Sequence, residues 1–549
     1  MHIYILAAAA YAAGLEGMTN AQVRQLHFRN TMKSNKISKV ASKAHTTSQF
    51  TQLRDHFNPS DQTTWGQTYF VDDDYYQPGG PIFLEIGGEA PMDTSYLPIQ
   101  LETNLAQRYN GKHIILEHRY YGSSSPVNNA GFNLANYQWL SSQQAIEDIA
   151  SFIRGYNAPA GTKWIAVGGS YAGALAAWAR MMHPDLIYAA HSSSGPVLAL
   201  ADFWQYGHAV DEGIAKSGGS DACAAGWRRA VALSDAATMA PGQDIRDARD
   251  KAQYSTLLSL SVQYKKSINP FTYNGQTTTL LDAVCGGQLF PTFTNPQASD
   301  ADALADYNRL ANAMLTQPPP AGGVLGAQAQ DAWKYQQCTE FGFFQTAEQQ
   351  TSFSSYYTLP RRAQECQGTF GPSMPAANPD ATNSRYKGLD IVNQASKILF
   401  VQGGVDPWRY LGVTGVPNSN NAFILIPNGH HCNDLKLPDA STPADVVAAH
   451  KNILSIWDKW IGPPANPSST GSSGPIGAKG NTAVSPNGNT TAGGNSTASG
   501  NGTSSTGVST GGSSTSGGNL SSPPTNSPGS SALTASASLF VSMLVVLNL

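Results

Sequence analysis

A parallel α/β sheet interrupted by an inserted, mainly helical lid is the architecture this sequence predicts, and three observations predict it. Apolar runs bounded by Gly or Pro alternate with helix-spaced patterns over residues 50–199. That alternation fades over residues 200–385, where Ala, Gln, Asp and Tyr are frequent and Pro318-Pro319-Pro320 breaks the chain. It returns over residues 386–462, so one sheet with an insertion fits better than separate domains.

Each element has its own reason. Pro81 to Ile86, His113 to Glu117 and Lys163 to Val167 are short apolar runs without alternation, the pattern of strands buried on both faces. Ser141 to Tyr156 carries Ala145, Ile146, Ile149, Ala150 and Ile153 at helical spacing. The Lys163 strand runs directly into Gly168-Gly169-Ser170 and then a helix from Ala172 to Met182, which stops before Pro184. After the insertion, Ser396 to Val401 and Asn421 to Ile426 read as strands. An amphipathic helix from Pro443 to Ile461 closes the domain.

The chain has 549 residues, 41% of them hydrophobic and 13% charged, with a formal net charge of −4. That balance gives no basis for a nucleic-acid partner. So few charges fit an extracellular, glycosylated surface. Residues 1–18 read as a signal peptide, with an apolar run from Ile3 to Ala13 and an Ala10-Tyr-Ala12 cleavage site, although the leading segment lacks Lys and Arg. Residues 19–49 form a basic arm or pro-segment holding Arg24, Arg29, Lys33, Lys36, Lys39 and Lys43; a mitochondrial presequence is the minor rival.

At the other end, residues 463–531 read as a disordered Ser/Thr/Gly-rich stalk. From Asn466 to Ser531 there is no aromatic residue and one charge, Lys479, too little to offset the entropy of ordering. Sequons at Asn489, Asn495, Asn501 and Asn519 lie in it. Residues 532–549 are uncharged and end in a short apolar tail, which matches a GPI-attachment signal better than a membrane span of ~20 residues. The membrane is thus expected as a partner through that anchor. Cys223, Cys285, Cys338, Cys366 and Cys432 form no CxxC pair, so zinc is not expected, and up to two disulfides would leave one thiol.

Chemistry concentrates at Ser170. A serine between Gly168, Gly169, Ala172 and Gly173 at a strand-to-helix turn meets the steric demand of a nucleophile elbow, although Ala172 breaks the strict G-x-S-x-G pattern. A bystander serine in a Gly-rich turn is the plain alternative. Against it stand an aspartate and a histidine in the required order. The strand ending at Val401 leads to Asp406, and the next leads to His430-His431, with 25 residues between Asp406 and His431. A histidine would take the Ser170 proton and Asp406 would hold its other nitrogen. The Tyr171 amide and a backbone amide of Gly87-Gly88-Glu89, assigned to Gly88, would form the oxyanion hole. Together these define an α/β-hydrolase core with an inserted lid.

The elbow through Arg180 resembles a family of serine peptidases that includes lysosomal Pro-Xaa carboxypeptidase, the related lysosomal dipeptidyl peptidase, thymus-specific serine protease and fungal prolyl endoproteases. So do Asp55-His-Phe-Asn58, Glu117-His-Arg-Tyr-Tyr-Gly122, Tyr335-Gln-Gln-Cys-Thr-Glu340 and Asp406-Pro-Trp408. Ala172 looks most like the fungal members. The resemblance covers residues 50 to 460 and implies peptide or protein substrates, cleavage after proline or a small residue, often in acid, and no cofactor. It also favours His431 over His430 as the base and places Trp408 and Phe343 in an apolar substrate pocket. Ordinary core packing is the competing account of that aromatic pair. Glu340 is a candidate contact for a substrate terminus or a structural ion pair; Glu117 and Arg119 read as structural. An esterase or lipase of the same fold, or an inactive surface protein, are the rival functions.

Overall fold

The computed structural model describes residues 46–92, 94, 100–127, 134–243, 248, 251–264, 270–315, 327–347 and 351–465. The predicted signal peptide, the basic arm up to residue 45, the stalk beyond residue 465, its sequons and the tail lie outside these residues.

Two antiparallel strands open the fold: β1 (Thr46–Leu53), which begins inside the segment read as the basic arm, and β2 (Thr64–Asp72). β3 (Ile82–Ile86), α1 (Leu101–Tyr109), β4 (Lys112–Leu116), α2 (Ser142–Gly155), β5 (Trp164–Gly169), α3 (Tyr171–Met182) and β6 (Ile187–Ser193) follow. The lid then contributes β7 (Leu200–Asp202), α4 (Gln205–Lys216), α5 (Asp221–Thr238), α6 (Leu257–Tyr264), β8 (Pro270–Tyr273), β9 (Gln276–Thr279) and α7 (Leu280–Cys285). It continues through α8 (Asp300–Leu315), α9 (Ala327–Gln336), a π-helical turn at Gln337–Phe341, β10 (Gly342–Phe344), α10 (Leu359–Phe370) and α11 (Pro379–Tyr386). The chain re-enters the core through the short α12 (Ile391–Gln394), β11 (Ile398–Gly403), β12 (Ala422–Ile426) and α13 (Ala444–Ile461).

The main sheet has the order β1-β2-β4-β3-β5-β6-β11-β12. β2 runs antiparallel to β4, and every pairing from β4 to β12 is parallel. With β11 and β12 counted as the seventh and eighth core strands, this is the strand order of an α/β-hydrolase. The alternation of side chains across each strand sends successive residues to opposite cores. Ile165, Val167, Leu399 and Val401 meet α1 and α13 around Trp457, whereas Trp164, Ala166 and Phe400 belong to the layer holding α2, α3 and the lid. A continuous apolar run is what such double burial requires, and all five residues of β3 are buried.

Capping fixes the helix that supports the elbow's neighbour. Ser141 is the N-cap of α2, its side chain accepting from the Gln144 amide. The lid is tied internally by disulfides Cys223–Cys285 and Cys338–Cys366, while Cys432 is free. Among the described residues no helix is long and apolar enough to cross a membrane.

Glu340, in the π turn of the lid, accepts from the amide (3.0 Å) and hydroxyl (2.5 Å) of Ser142, the first residue of α2. It therefore clamps lid to core. Burial pushes its carboxyl up to about 7, against the Ser142 hydrogen bonds. Burial likewise raises Glu85 and Glu102 beneath the sheet. A carboxyl raised in the folded state favours its protonated form there. Its stabilisation is complete below the unfolded value near 4.5 and is lost as pH rises through the folded value. The buried imidazoles of His118 and His450, lowered to about 4, oppose this only below the unfolded histidine value of 6.5. The melting temperature should therefore fall by several degrees from pH 6.5 to 8.5, and Glu340→Gln should flatten part of that slope in a thermal-shift series. A melting temperature that rises over this range contradicts the assignment.

Candidate active site

β5 ends at Gly169 and α3 begins at Tyr171, so Ser170 alone makes the turn. It does so at φ 60° and ψ −131°, a conformation that costs a non-glycine residue ~1–3 kcal/mol. The surroundings hold it there. The Ser170 amide donates to the Ser193 carbonyl at 2.9 Å, and its own carbonyl accepts from Ala174 at 3.1 Å. Glycine is required on either side. A Cβ on Gly168 would lie 2.2 Å from the Ala172 carbonyl oxygen, and one on Gly173 would lie 2.7 Å from that of Ser193. Gly168→Ala should thus cost more than ~2 kcal/mol of stability by overpacking against backbone, read as a lower denaturation midpoint. Position 172 has no such constraint, which explains why alanine is accommodated there.

Asp406 is completely buried and caps a 3₁₀ turn, Pro407–Leu411, where its Oδ1 accepts from the Trp408 amide at 3.0 Å. Its Oδ2 meets His431 Nδ1 at 2.7 Å. The other ring nitrogen, Nε2, is buried and makes no hydrogen bond. Burial opposes charge on this imidazole, but the Asp406 carboxylate and the adjacent Cys432 sulfur outweigh it, and its pKa is raised well above 6.5.

The lid reaches the same loop. The His431 amide donates to Gln263 O at 2.9 Å, and His430 Nδ1 lies 2.7 Å from Val262 O. Both carbonyls belong to the last turn of α6, whose unpaired carbonyls and negative dipole end favour donors and positive charge. Tyr264 meets the His431 ring edge-on, with centroids 5.7 Å apart. His430 is thus turned to the lid, whereas His431 is paired with Asp406.

The elbow and the histidine loop touch. A Cβ on Gly169 would lie 2.9 Å from Cys432 Sγ and 2.8 Å from Leu435 Cδ1. Gly88 faces the start of α3: a Cβ there would lie 3.5 Å from the Ala172 Cβ and 3.7 Å from the Ala172 nitrogen. The Tyr171 side chain is buried, bonded to Gln336 Nε2 at 2.8 Å and near His118 Nε2 at 3.2 Å. Trp408 and Phe343 are both buried and touch each other at 5.7 Å, next to Asp406, in a cluster with Phe203 and Tyr206.

Other sequence candidates hold structure together. Glu117 Oε2 accepts from Ser123 and Ser124 in its own loop. Arg119 forms a two-pronged pair with Asp148 at 2.6 and 2.7 Å. No group of three or more His, Cys, Asp or Glu among the described residues has metal-binding geometry. Sequence reasoning missed the two α6 carbonyls, which no residue type announces. It also missed Asp434, three residues beyond His431, where an acidic residue following a histidine pair was the available signal.

The fold and the placement of these residues define an α/β-hydrolase. The chain belongs to the serine carboxypeptidase S28 family, whose model matches residues 52–273 and 295–453. It is therefore a serine peptidase. Among its relatives are a putative serine protease K12H4.7 from Caenorhabditis elegans, 31% identical over 459 residues, covering 75% of this chain and 88% of that one. Human thymus-specific serine protease is 31% identical over 447 residues, covering 75% and 85%. Lysosomal Pro-X carboxypeptidase from Mus musculus is 27% identical over 445 residues, covering 75% and 88%.

Proposed function

We propose that this peptidase cleaves through a triad of Ser170, Asp406 and His431, after proline or a small residue. The observation that carries the proposal is the 2.7 Å His431–Asp406 pair, whose free Nε2 belongs to a loop in contact with the serine turn. In this reading Nε2 takes the Ser170 Oγ proton as the oxygen attacks the scissile carbonyl, and Asp406 stabilises the imidazolium. The developing oxyanion accepts from the amides of Tyr171 and Gly88. His431 then returns the proton to the departing amine, and water repeats the cycle on the acyl-enzyme. Trp408 and Phe343 supply the apolar wall for the residue before the scissile bond. An apolar wall receives proline without leaving a buried donor unpaired.

The reading extends to the ends of the chain. Residues 1–18 are removed as a signal, residues 463–531 form the stalk, and the tail at 532–549 directs a GPI anchor, so the enzyme works outside the cell or on its surface. The domains divide as core 50–199, lid 200–385 and core 386–462.

A fluorophosphonate probe followed by peptide mapping tests the nucleophile: label on Ser170 is expected, and label elsewhere or none overturns it. Proline-containing peptides blocked at either end, assayed between about pH 4 and 9 so that the rise with neutral His431 is covered, separate exopeptidase from endopeptidase action. Phosphatidylinositol-specific phospholipase C should release the protein from cells, and its failure to do so contradicts the anchor.

A further inference from the structure

Beneath the elbow lies a second aspartate–histidine pair that the triad does not use. Asp434 is 1% exposed, and its Oδ2 lies 2.7 Å from Nε2 of His191, itself fully buried on β6. Its Oδ1 accepts from Ser193 Oγ at 2.6 Å. The hydrogen bonds to His191 and Ser193 hold the carboxyl below the usual range although burial opposes them, so Asp434 is a buried carboxylate with a fixed geometry.

Ser193 is the point to which the whole site is referred. β6 lies between β5, which ends at the elbow, and β11, which leads to Asp406. Ser193 stands abreast of Gly169 on one side and Val401 on the other. Its carbonyl receives the Ser170 amide. The next residue, Ser194, accepts the Cys432 amide on its hydroxyl at 3.0 Å. The Asp434 carboxylate adds a shorter, charged link beside the Cys432 thiol, which donates to the Ser193 carbonyl at 3.8 Å. It fastens the loop that carries His431 to the same residue that holds the nucleophile's amide. Leu435, beside it, donates no such tie: its side chain only fills the space next to Gly169.

We propose that Asp434, acting through Ser193 and His191, is a positioning residue that sets the separation of His431 from Ser170. The inference rests on the triad reading. A misplacement of a catalytic group by 1 Å is worth about 100-fold in rate, so a tether at this point is visible in turnover. Removing it changes how often Nε2 and Oγ are in register, not how substrate is bound. The effect therefore belongs in kcat rather than KM.

The test uses Ser193→Ala, which deletes one hydroxyl and keeps the strand, alongside Asp434→Asn. For each, kcat per titrated active site, KM and the rate of fluorophosphonate labelling are measured on the full chain, with a melting curve as control. The expected result is a loss of roughly 10-fold or more in kcat and in labelling rate for both variants, with KM within about 2-fold. If Asp434→Asn does not fold, Ser193→Ala decides alone. Folded variants that label and turn over at the wild-type rate overturn the inference while leaving the triad intact. So does a variant that loses only melting temperature, since that marks a structural role. Absence of Ser170 labelling in the wild type overturns the triad and this inference together.

Discussion

Ser170→Ala should abolish peptide hydrolysis, with kcat falling by ~10⁴-fold or more, while the melting temperature stays close to that of the parent. The size follows from the way a triad works as a unit: without the nucleophile, only oxyanion stabilisation and binding remain. The preserved stability follows from the local geometry. The Ser170 side chain makes no capping hydrogen bond, and alanine at φ 60° bears the same backbone strain as serine. A residual kcat within about 100-fold of the parent would show that another residue attacks the substrate. Reading activity together with fluorophosphonate labelling excludes trace contamination, because the variant should take up no label at the elbow.

The second large effect separates the two adjacent histidines. His431→Ala should lower kcat by ~10⁴-fold or more, since in the proposed triad it removes the group that accepts the serine proton. His430→Ala should lower it by less than about 10-fold, because that ring is bonded to the Val262 carbonyl and supports the loop against the lid. The Asp406 carboxylate meets His431 Nδ1 at 2.7 Å, whereas His430 Nδ1 lies 2.7 Å from the Val262 carbonyl on the lid. The reverse ranking in a steady-state assay would exchange their roles. The pH profile offers an independent check. The raised pKa of His431 means that the neutral base is scarce below 6.5, so kcat/KM should climb with pH above that value. An optimum below that value would contradict this protonation of His431.

Much of this was legible in the residues themselves. The strands β3, β4, β5 and β11 announce themselves as apolar runs because both faces are covered, and β12, an edge strand with Leu425 exposed, does so by its apolar composition alone; their observed limits lie within a few residues of the predicted ones. Ser170, Asp406 and the histidine pair, which include the residues of the proposed triad, can be picked out because the elbow and the ends of the last two strands have strict order. β1 and β2 were not read, for a physical reason. Thr46–Leu53 is an edge strand whose residues are mostly exposed or half-exposed, with only Gln52 buried, so no apolar period marks it. The disulfide pairing followed the count of five cysteines but not from it; only the fold brings Cys223 to Cys285 and Cys338 to Cys366. Asp434 is the sharpest omission. A buried carboxylate is recognisable once His191 and Ser193 face it, and nothing local to residues 430–436 names partners on a strand so distant in sequence.

The placement of the lid has a consequence for how the chain becomes an enzyme. β6 and β11 are neighbours in the sheet, yet the entire lid is synthesised between them. The serine turn is therefore made early, while Asp406 and His431, the acid and base of the proposed triad, arrive last and must dock beside a strand that has waited with one edge unpaired. Such non-local parallel pairing is slow, because the loop-closure entropy is lost before the contacts form. On the proposed triad, a nascent chain ending anywhere within the lid has Ser170 but neither Asp406 nor His431. On that reading, order of synthesis is a built-in delay on proteolysis: no peptide bond is at risk until the last two strands are in place.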